Sequence, residues 1–318
     1  MKKKRNKLII NFLKGQGLGN QLWVYFSGLA LSKILNCNLQ FGNGKFFKGF
    51  FIVKNNLISQ DCIVANKRYF IVETYDFFTD LEVTDYSKEI KKLKYLINLS
   101  DFELIGTLQN LNWIPSKKKI LANLKFSKIK EDNSCAIHIR GGDYRNTIAK
   151  PSRTYFQNSL KYINDKVKKT FIVTDDENYS KKILKNIKIS KNKKKKWDKL
   201  TNNHHFGADI KADFFKIAAA KYNIISASTF SFWACYIGSL FINKKIIAPA
   251  FWFANRVSNS WSSPLNIHIK NWTYIDRAGK ITNVRNNKYF PKITTQKKQN
   301  KYFNFVLRKF LNLYLNLK

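Results

Sequence analysis

Ser134-Cys135-Ala136-Ile137-His138-Ile139-Arg140-Gly141-Gly142-Asp143-Tyr144 is the stretch on which the reading of this chain turns. Cys135, Ile137 and Ile139 alternate with His138 and Arg140, the period of a strand. Gly141 and Gly142 then allow a sharp turn. A strand built this way delivers His138 and Arg140 to its carboxyl end. Downstream, the pattern predicts a helix over Thr154 to Val167 and a strand over Thr170–Thr174. Asp175-Asp176-Glu177 then suits a helix start, where carboxylates meet free amides and the positive dipole end. A short strand over Asn186–Ser190, a basic loop over Lys191–Lys196 and a helix over Asp209 to Lys221 follow. Next come a strand over Asn223–Ser226, a cap at Ser228-Thr229, a helix over Phe230–Phe241 and a strand over Lys245–Ala248, stopped by Pro249. Strands alternating with helices imply an α/β fold with a parallel, doubly wound sheet. Such sheets bind ligands beyond the carboxyl ends of their strands.

The amino-terminal half opens in the same way. Lys7–Leu13 reads as a buried strand, Gly15-Gln16-Gly17-Leu18-Gly19 as a tight turn, and Asn20 to Leu35 as a helix with Leu22, Phe26 and Leu29 on one face. Residues 46–125 are less legible: Val64–Val72 is strand-like and Lys117-Lys118-Lys119 reads as a basic loop. With 318 residues, two Rossmann-like domains facing a cleft are expected. Their bounds are placed at 1–133 and 134–295. A tail follows over 296–318, where Phe303, Val306, Phe310, Leu313 and Leu317 form an apolar stripe among Lys301, Arg308, Lys309 and Lys318. Such a stripe can lie in a membrane interface or pack on its own protein.

The net charge of +38 has three readings: an anionic membrane, nucleic acid, or a composition biased towards Lys, Asn, Ile, Phe and Tyr. Only nine of the 58 cations are arginine, which speaks against nucleic acid, where bidentate Arg contacts dominate readout. Cys37, Cys62, Cys135 and Cys235 are scattered, with no CxxC, so neither a disulfide framework nor a zinc site is expected. They fit a reducing cytoplasm. Leu8 to Leu13 is too short an apolar run for a signal peptide. Asn223 to Asn243 carries no charge, but its Ser, Thr and Gly content suits a strand, a turn and a buried helix better than a membrane span.

Three constellations carry chemistry. The glycine turn lacks GxGxxG spacing, and no acidic residue follows it before Asp61, so nicotinamide dinucleotides are disfavoured. Asn20 and Gln21 would present amides there. Arg140 can fork onto a pyrophosphate whose charge grows as a glycosidic bond breaks, or it can pair locally with Asp143. Ser228-Thr229-Phe230-Ser231 offers hydroxyls and free amides at a helix start, an anion site or an ordinary cap. Asp175-Asp176 would diverge as neighbours, and His204-His205 reads as solvated, so no metal is expected.

Taken together and in this order, the three resemble the motifs of the alpha-1,2-fucosyltransferase family. Gly17-Leu18-Gly19-Asn20-Gln21 is similar to its glycine-rich opening, His138–Tyr144 to its His-x-Arg-Arg-x-Asp-Tyr motif, and Ser228–Trp233 to its Ser-x-Phe-Ser-Trp-Trp motif. Weaker similarity lies in Phe171–Asp176, Asp213–Ile225 and Pro249–Phe253. The resemblance implies a GT-B fold, GDP-beta-L-fucose as donor, inversion at the anomeric carbon and no metal. It places Arg140 and His138 at the pyrophosphate, Asp143 in the turn, Thr174, Asp175 and Asp176 near the nucleoside, and Ser228, Thr229, Phe230 and Ser231 on the phosphate side. Gly17, Gly19, Asn20 and Gln21 fall on the acceptor side, with Arg140 and Asn20 at the reacting centre. The acceptor would be a galactose-containing oligosaccharide or lipid-linked glycan of a bacterial surface, such as lipopolysaccharide O-antigen. The site of action would be the cytoplasm or the cytoplasmic face of the inner membrane. Two departures stand out: Gly141 replaces the second motif arginine, and Phe232 the first motif tryptophan. No residue is named as general base. A transferase using another nucleotide sugar, a basic nucleic-acid-binding protein and a non-catalytic sugar-binding module are the rival expectations.

Overall fold

The computed structural model describes residues 5–65, 67–70, 86–106, 108–144, 152–163, 167, 169–185, 187, 209–250, 253–255, 260–262, 267–276 and 278–282. The chain divides into two compact units that part after Ser127.

In the first unit, β1 (Lys7–Asn11), α1 (Leu18–Ile34), β2 (Asn38–Gly42), β3 (Arg68–Phe70), α2 (Tyr86–Leu99), β4 (Phe102–Ile105) and α3 (Lys117–Asn123) follow one another. All pairings in its sheet are parallel, in the order β2-β1-β4-β3. β1 is buried from Leu8 onward, as an interior strand of a parallel sheet must be. Gly15 takes φ 81° in the turn after β1, a conformation in which a side chain would be strained. Residues 18–31 of α1 are almost all buried, not one face alone, because loops cover the side that the sheet does not. Lys117–Lys119 starts a helix where a loop was expected. Ser116 takes the cap position, and the Lys119 ammonium reaches the carbonyl of Leu29 at 2.9 Å.

The second unit runs β5 (Asp132–Ile139), α4 (Arg153–Leu160), β6 (Lys169–Thr174), α5 (Glu177–Lys185), α6 (Ile210–Ala219), β7 (Ala220–Ile224), α7 (Thr229–Ser239), β8 (Lys245–Pro249), β9 (Phe253–Asn255), β10 (Ser260–Ser262) and β11 (Thr273–Ile275). Its five-stranded sheet is parallel throughout, in the order β11-β8-β7-β5-β6, and β9 and β10 form an antiparallel pair. Cys135, Ile137 and Ile139 pack on one face with Tyr155 and Phe156 of α4 and Ile183 of α5. On the other face α6 lies against the strands and α7 against α6. Helices thus cover both faces, and the two parallel α/β units are the components of the GT-B class.

The end of α4 and the junction of α6 with β7 depart from expectation for identifiable reasons. α4 ends at Leu160 rather than Val167, its start held by Ser152 Oγ, which accepts from the Tyr155 amide at 3.0 Å. α6 passes straight into β7 at Ala220, three residues before the expected strand. No loop is needed, because the Lys244 ammonium takes the carbonyls of Ile217 and Ala218, both at 3.0 Å, and of Ala220. The uncharged run 223–243 is a strand, a turn and an eleven-residue helix. Among the described residues no helix is long and apolar enough to cross a membrane. The expected strand at Asn186–Ser190, the loop at Lys191–Lys196, His204-His205 and the tail stripe over 296–318 lie outside the described residues, Ile187 apart.

Candidate active site

In the second sheet the chain leaves β5 towards β6 on one side and leaves β7 towards β8 on the other. β5 and β7 are neighbours, so this is the topological switch point, where α/β sheets open a crevice beyond the strand ends. The His138–Gly142 segment and the Ser226–Ser231 segment emerge side by side there.

One buried hydroxyl joins them. Ser226 Oγ donates to the His138 carbonyl at 2.8 Å and accepts from the Arg140 amide at 2.9 Å. Nothing in the sequence marked Ser226. Its position just past a strand, before an Ala-Ser pair, was the only available signal. Arg140 is a third exposed, and its guanidinium meets Asp175 Oδ2 at 2.6 Å. Asp175 Oδ1 accepts from the Gly141 amide at 2.7 Å, so one carboxylate clamps both the cation and the turn. Asp175 is therefore a local partner of Arg140 among the described residues. The guanidinium also lies 5.5 Å from the centre of the Tyr144 ring. A cation held from two sides but still open to solvent is preorganised for an incoming anion.

Gly142 has φ 36°, and an added Cβ would stand 2.6 Å from Asp175 Oδ2. At Gly141 an added Cβ would stand 2.3 Å from the Cβ of Asp176. The turn is thus built around two missing side chains, and the arginine of the related motif does not fit at 141 with Asp176 in place. Asp143 belongs to the single 3-10 turn Gly142–Tyr144; its side chain lies outside the described residues.

His138 is 5% exposed, with the Phe230 ring centre 6.0 Å away. Burial, with a smaller push from the Arg140 charge, lowers its pKa to about 3, so the imidazole is neutral. Its Nδ1 is buried without a hydrogen-bond partner among the described residues.

Thr174, Asp175 and Asp176 are engaged within the fold. Thr174 Oγ1 donates to the Ile139 carbonyl at 2.7 Å and accepts from the Asp176 amide at 3.0 Å. Asp176 Oδ1 accepts from the Tyr179 amide at 2.9 Å, capping α5. The two carboxylates diverge, one to the turn and one to the helix. Ser228 and Thr229 are partly exposed at the start of α7, where amides N–H point outward. Ser231 is not with them: it is fully buried, and its hydroxyl donates back to the Ser228 carbonyl at 3.2 Å. Helical spacing turns the third residue inward. Phe232 is buried against Tyr236 and Trp272, so its exchange for tryptophan is a matter of core packing.

In the first unit the expected acceptor-side residues separate. Gln21 is fully buried, and its amide is spent on the carbonyls of Gln16, at 2.7 Å, and Phe46, and on the Lys48 amide. It shapes the loop after β2 and has no surface left for a ligand, contrary to the expectation that it faces one. Gly19 is buried and Gly17 holds the cap position of α1. Asn20 is partly exposed, and Gln109 Nε2 donates to its Oδ1 at 3.0 Å. Gln109 lies four residues beyond the end of β4, in a region where periodicity was unreadable.

A switch point with a fixed arginine, a glycine turn and a helix start defines an α/β protein equipped to receive an anionic ligand at its strand ends. The sequence profile of glycosyl transferase family 11 matches residues 53–276, and the chain belongs to that family. Membership bears out the resemblance read from the motifs. An alpha-1,2-colitosyltransferase of Escherichia coli is 27% identical over 280 residues, covering 77% of this chain and 92% of that protein. Among solved structures, NodZ alpha-1,6-fucosyltransferase co-crystallised with GDP is 14% identical, with a TM-score of 0.39, covering 74% of this chain and 93% of that one. A mutant of Arabidopsis thaliana FUT1 in complex with GDP is 10% identical, with a TM-score of 0.43, covering 84% and 76%.

Proposed function

We propose that this glycosyltransferase transfers L-fucose from GDP-beta-L-fucose, with inversion, to the 2-hydroxyl of a galactose-type sugar in a bacterial surface glycan. One observation carries the reading: Arg140, clamped by Asp175 and the Gly141–Gly142 turn, stands solvent-accessible at the switch point of a parallel sheet. In the reaction the bond from the anomeric carbon to the β-phosphate oxygen breaks, and its electron pair stays with GDP. The acceptor oxygen forms the new bond and releases its proton late, to solvent. Negative charge grows on the pyrophosphate, and a cation fixed there stabilises the transition state more than the ground state. The neutral His138 adds no competing charge. The reaction needs no metal ion in this scheme, because Arg140 and the amides of α7 take the leaving-group charge. The partners are the nucleotide sugar and a galactose-containing oligosaccharide or lipid-linked glycan. The enzyme works in the cytoplasm, docked on the inner leaflet through the basic tail.

The colitosyltransferase relative favours a second donor, a nucleotide-activated colitose, for which GDP-colitose is the probe. GDP release from each donor, with and without galactosides and with a chelator present, tests both readings. Acceptor-stimulated, chelator-resistant release from GDP-fucose is expected, with an alpha-1,2 linkage in the product. Arg140→Ala should cut it by roughly a hundredfold or more. Release from GDP-colitose alone transfers the assignment to the second donor, and inertness with every nucleotide sugar overturns both.

A further inference from the structure

We propose that Gln109 is a positioning residue for the acceptor sugar: it fixes Asn20 so that the Asn20 amino group, not its carbonyl, is offered to an oxygen of the acceptor. This rests on the transferase reading above, with Asn20 on the acceptor side.

The argument begins with the loop after β4. Leu108 is fully buried and has φ 54°, in the left-handed region that a bulky side chain rarely adopts. Such a conformation persists only where its surroundings impose it, and it concentrates at functional sites. Here Ser27 Oγ of α1 donates to the Leu108 carbonyl at 2.8 Å, and the Asn110 amide donates to the same oxygen at 3.0 Å. Asn110 Oδ1 in turn accepts from the Asn112 amide at 2.9 Å. The loop is therefore pinned on both sides of Gln109.

What this produces is the contact with Asn20. Gln109 is 5% exposed, and its Nε2 donates to Asn20 Oδ1 at 3.0 Å. Asn20 and Ser27 are seven positions apart, two turns of α1 and hence on the same face. α1 holds the loop at Ser27, and the loop holds α1 at Asn20. With its carbonyl oxygen taken, Asn20 has N–H donors left, which suit hydroxyl or ring oxygens of a sugar. Gln21 beside it is turned inward, so Asn20 alone of the two amides is presented. Gly17, one turn earlier, has an ordinary φ of −68°, and an added Cβ would meet nothing within 4 Å. Neither backbone nor packing demands glycine there, and its bare backbone leaves room beside Asn20.

The test is initial-rate kinetics on the full chain, varying acceptor at saturating donor and donor at saturating acceptor. Gln109→Met keeps length and bulk but donates nothing, and Gln109→Glu sets an acceptor oxygen against Asn20 Oδ1. Both should lower kcat/KM for the acceptor by roughly tenfold, the loss of one aligned hydrogen bond. The donor KM should stay within about twofold, and the ratio of transfer to donor hydrolysis should fall, which a general folding defect would not cause. Gln109→Met combined with Asn20→Ala should be no worse than Asn20→Ala alone. Wild-type acceptor kinetics in both Gln109 variants, a donor KM that rises instead, or additive losses overturn the inference while the transferase reading stands. A wild-type chain inert with every nucleotide sugar overturns the function, and the inference with it.

Discussion

Gly141 is where this chain parts from the motif it otherwise follows. An arginine there must displace Asp176, whose Cβ stands 2.3 Å from the position of the new one, and Asp176 caps α5. Gly141→Arg should therefore cost about 1–3 kcal/mol, read as a lower midpoint in thermal denaturation. A raised or unchanged midpoint would mean the turn yields freely. His138 supplies a pH test. Its folded-state pKa is about 3 and its unfolded one near the ordinary 6.5, so the unfolded chain binds the extra proton between them. Stability must fall as pH drops from about 6.5 towards 3, by up to roughly 1.4 kcal/mol per pH unit from this one group. Urea midpoints across that range should show the slope, and His138→Asn should flatten it. His268, also lowered to about 3 by burial, adds a parallel share that this variant leaves in place. At this scale the placement of His138 and Arg140 at the end of β5 was legible, because the alternation with Cys135, Ile137 and Ile139 runs unbroken to the glycine turn. Ser226 and Gln109 were not. Serine and glutamine are common everywhere, and only the fold brings them to their partners from 86 and 89 positions away.

Elements were read well where one period ran unbroken and poorly where a distant residue ended them. β5, β6 and α7 have alternating or capped sequences, and their bounds fall within a few residues of expectation. The end of α6 is set by Lys244, a side chain on the far side of α7. Burial lowers that ammonium to about 8, although nearby Cys235, Glu131 and Cys135 oppose the shift. Lys244→Met would take this donor from the carbonyls of Ala218 and Ala220, while that of Ile217 keeps Asn223 Nδ2 at 2.9 Å. A loss of roughly 3 kcal/mol is expected in chemical denaturation, with α6 and β7 losing amide protection first. A loss below about 0.5 kcal/mol would show that solvent reaches those carbonyls.

For the whole molecule, a charge of +38 is the feature that composition announces most loudly and explains least. Basic residues spread over both units follow the general bias of the chain, whereas the tail couples charge to an apolar stripe. Deleting the residues after Gln296 should reduce cosedimentation with anionic vesicles at physiological salt by roughly tenfold or more, and leave neutral vesicles unaffected. Equal binding by both forms would remove the tail from membrane docking. The division into two α/β units was legible from the repeated strand–glycine–helix opening. The four-stranded order of the first sheet was not, since β3 is three residues long and pairs at the sheet edge. The second sheet has a consequence for how the chain is made. β5 sits inside that sheet but is its first strand in sequence, and its partner β7 begins only at Ala220. On the ribosome, the apolar edge of β5 must wait for almost ninety further residues before it is closed. Its aggregation hazard in the cell is thus set by translation speed and chaperone supply more than by the stability of the finished fold.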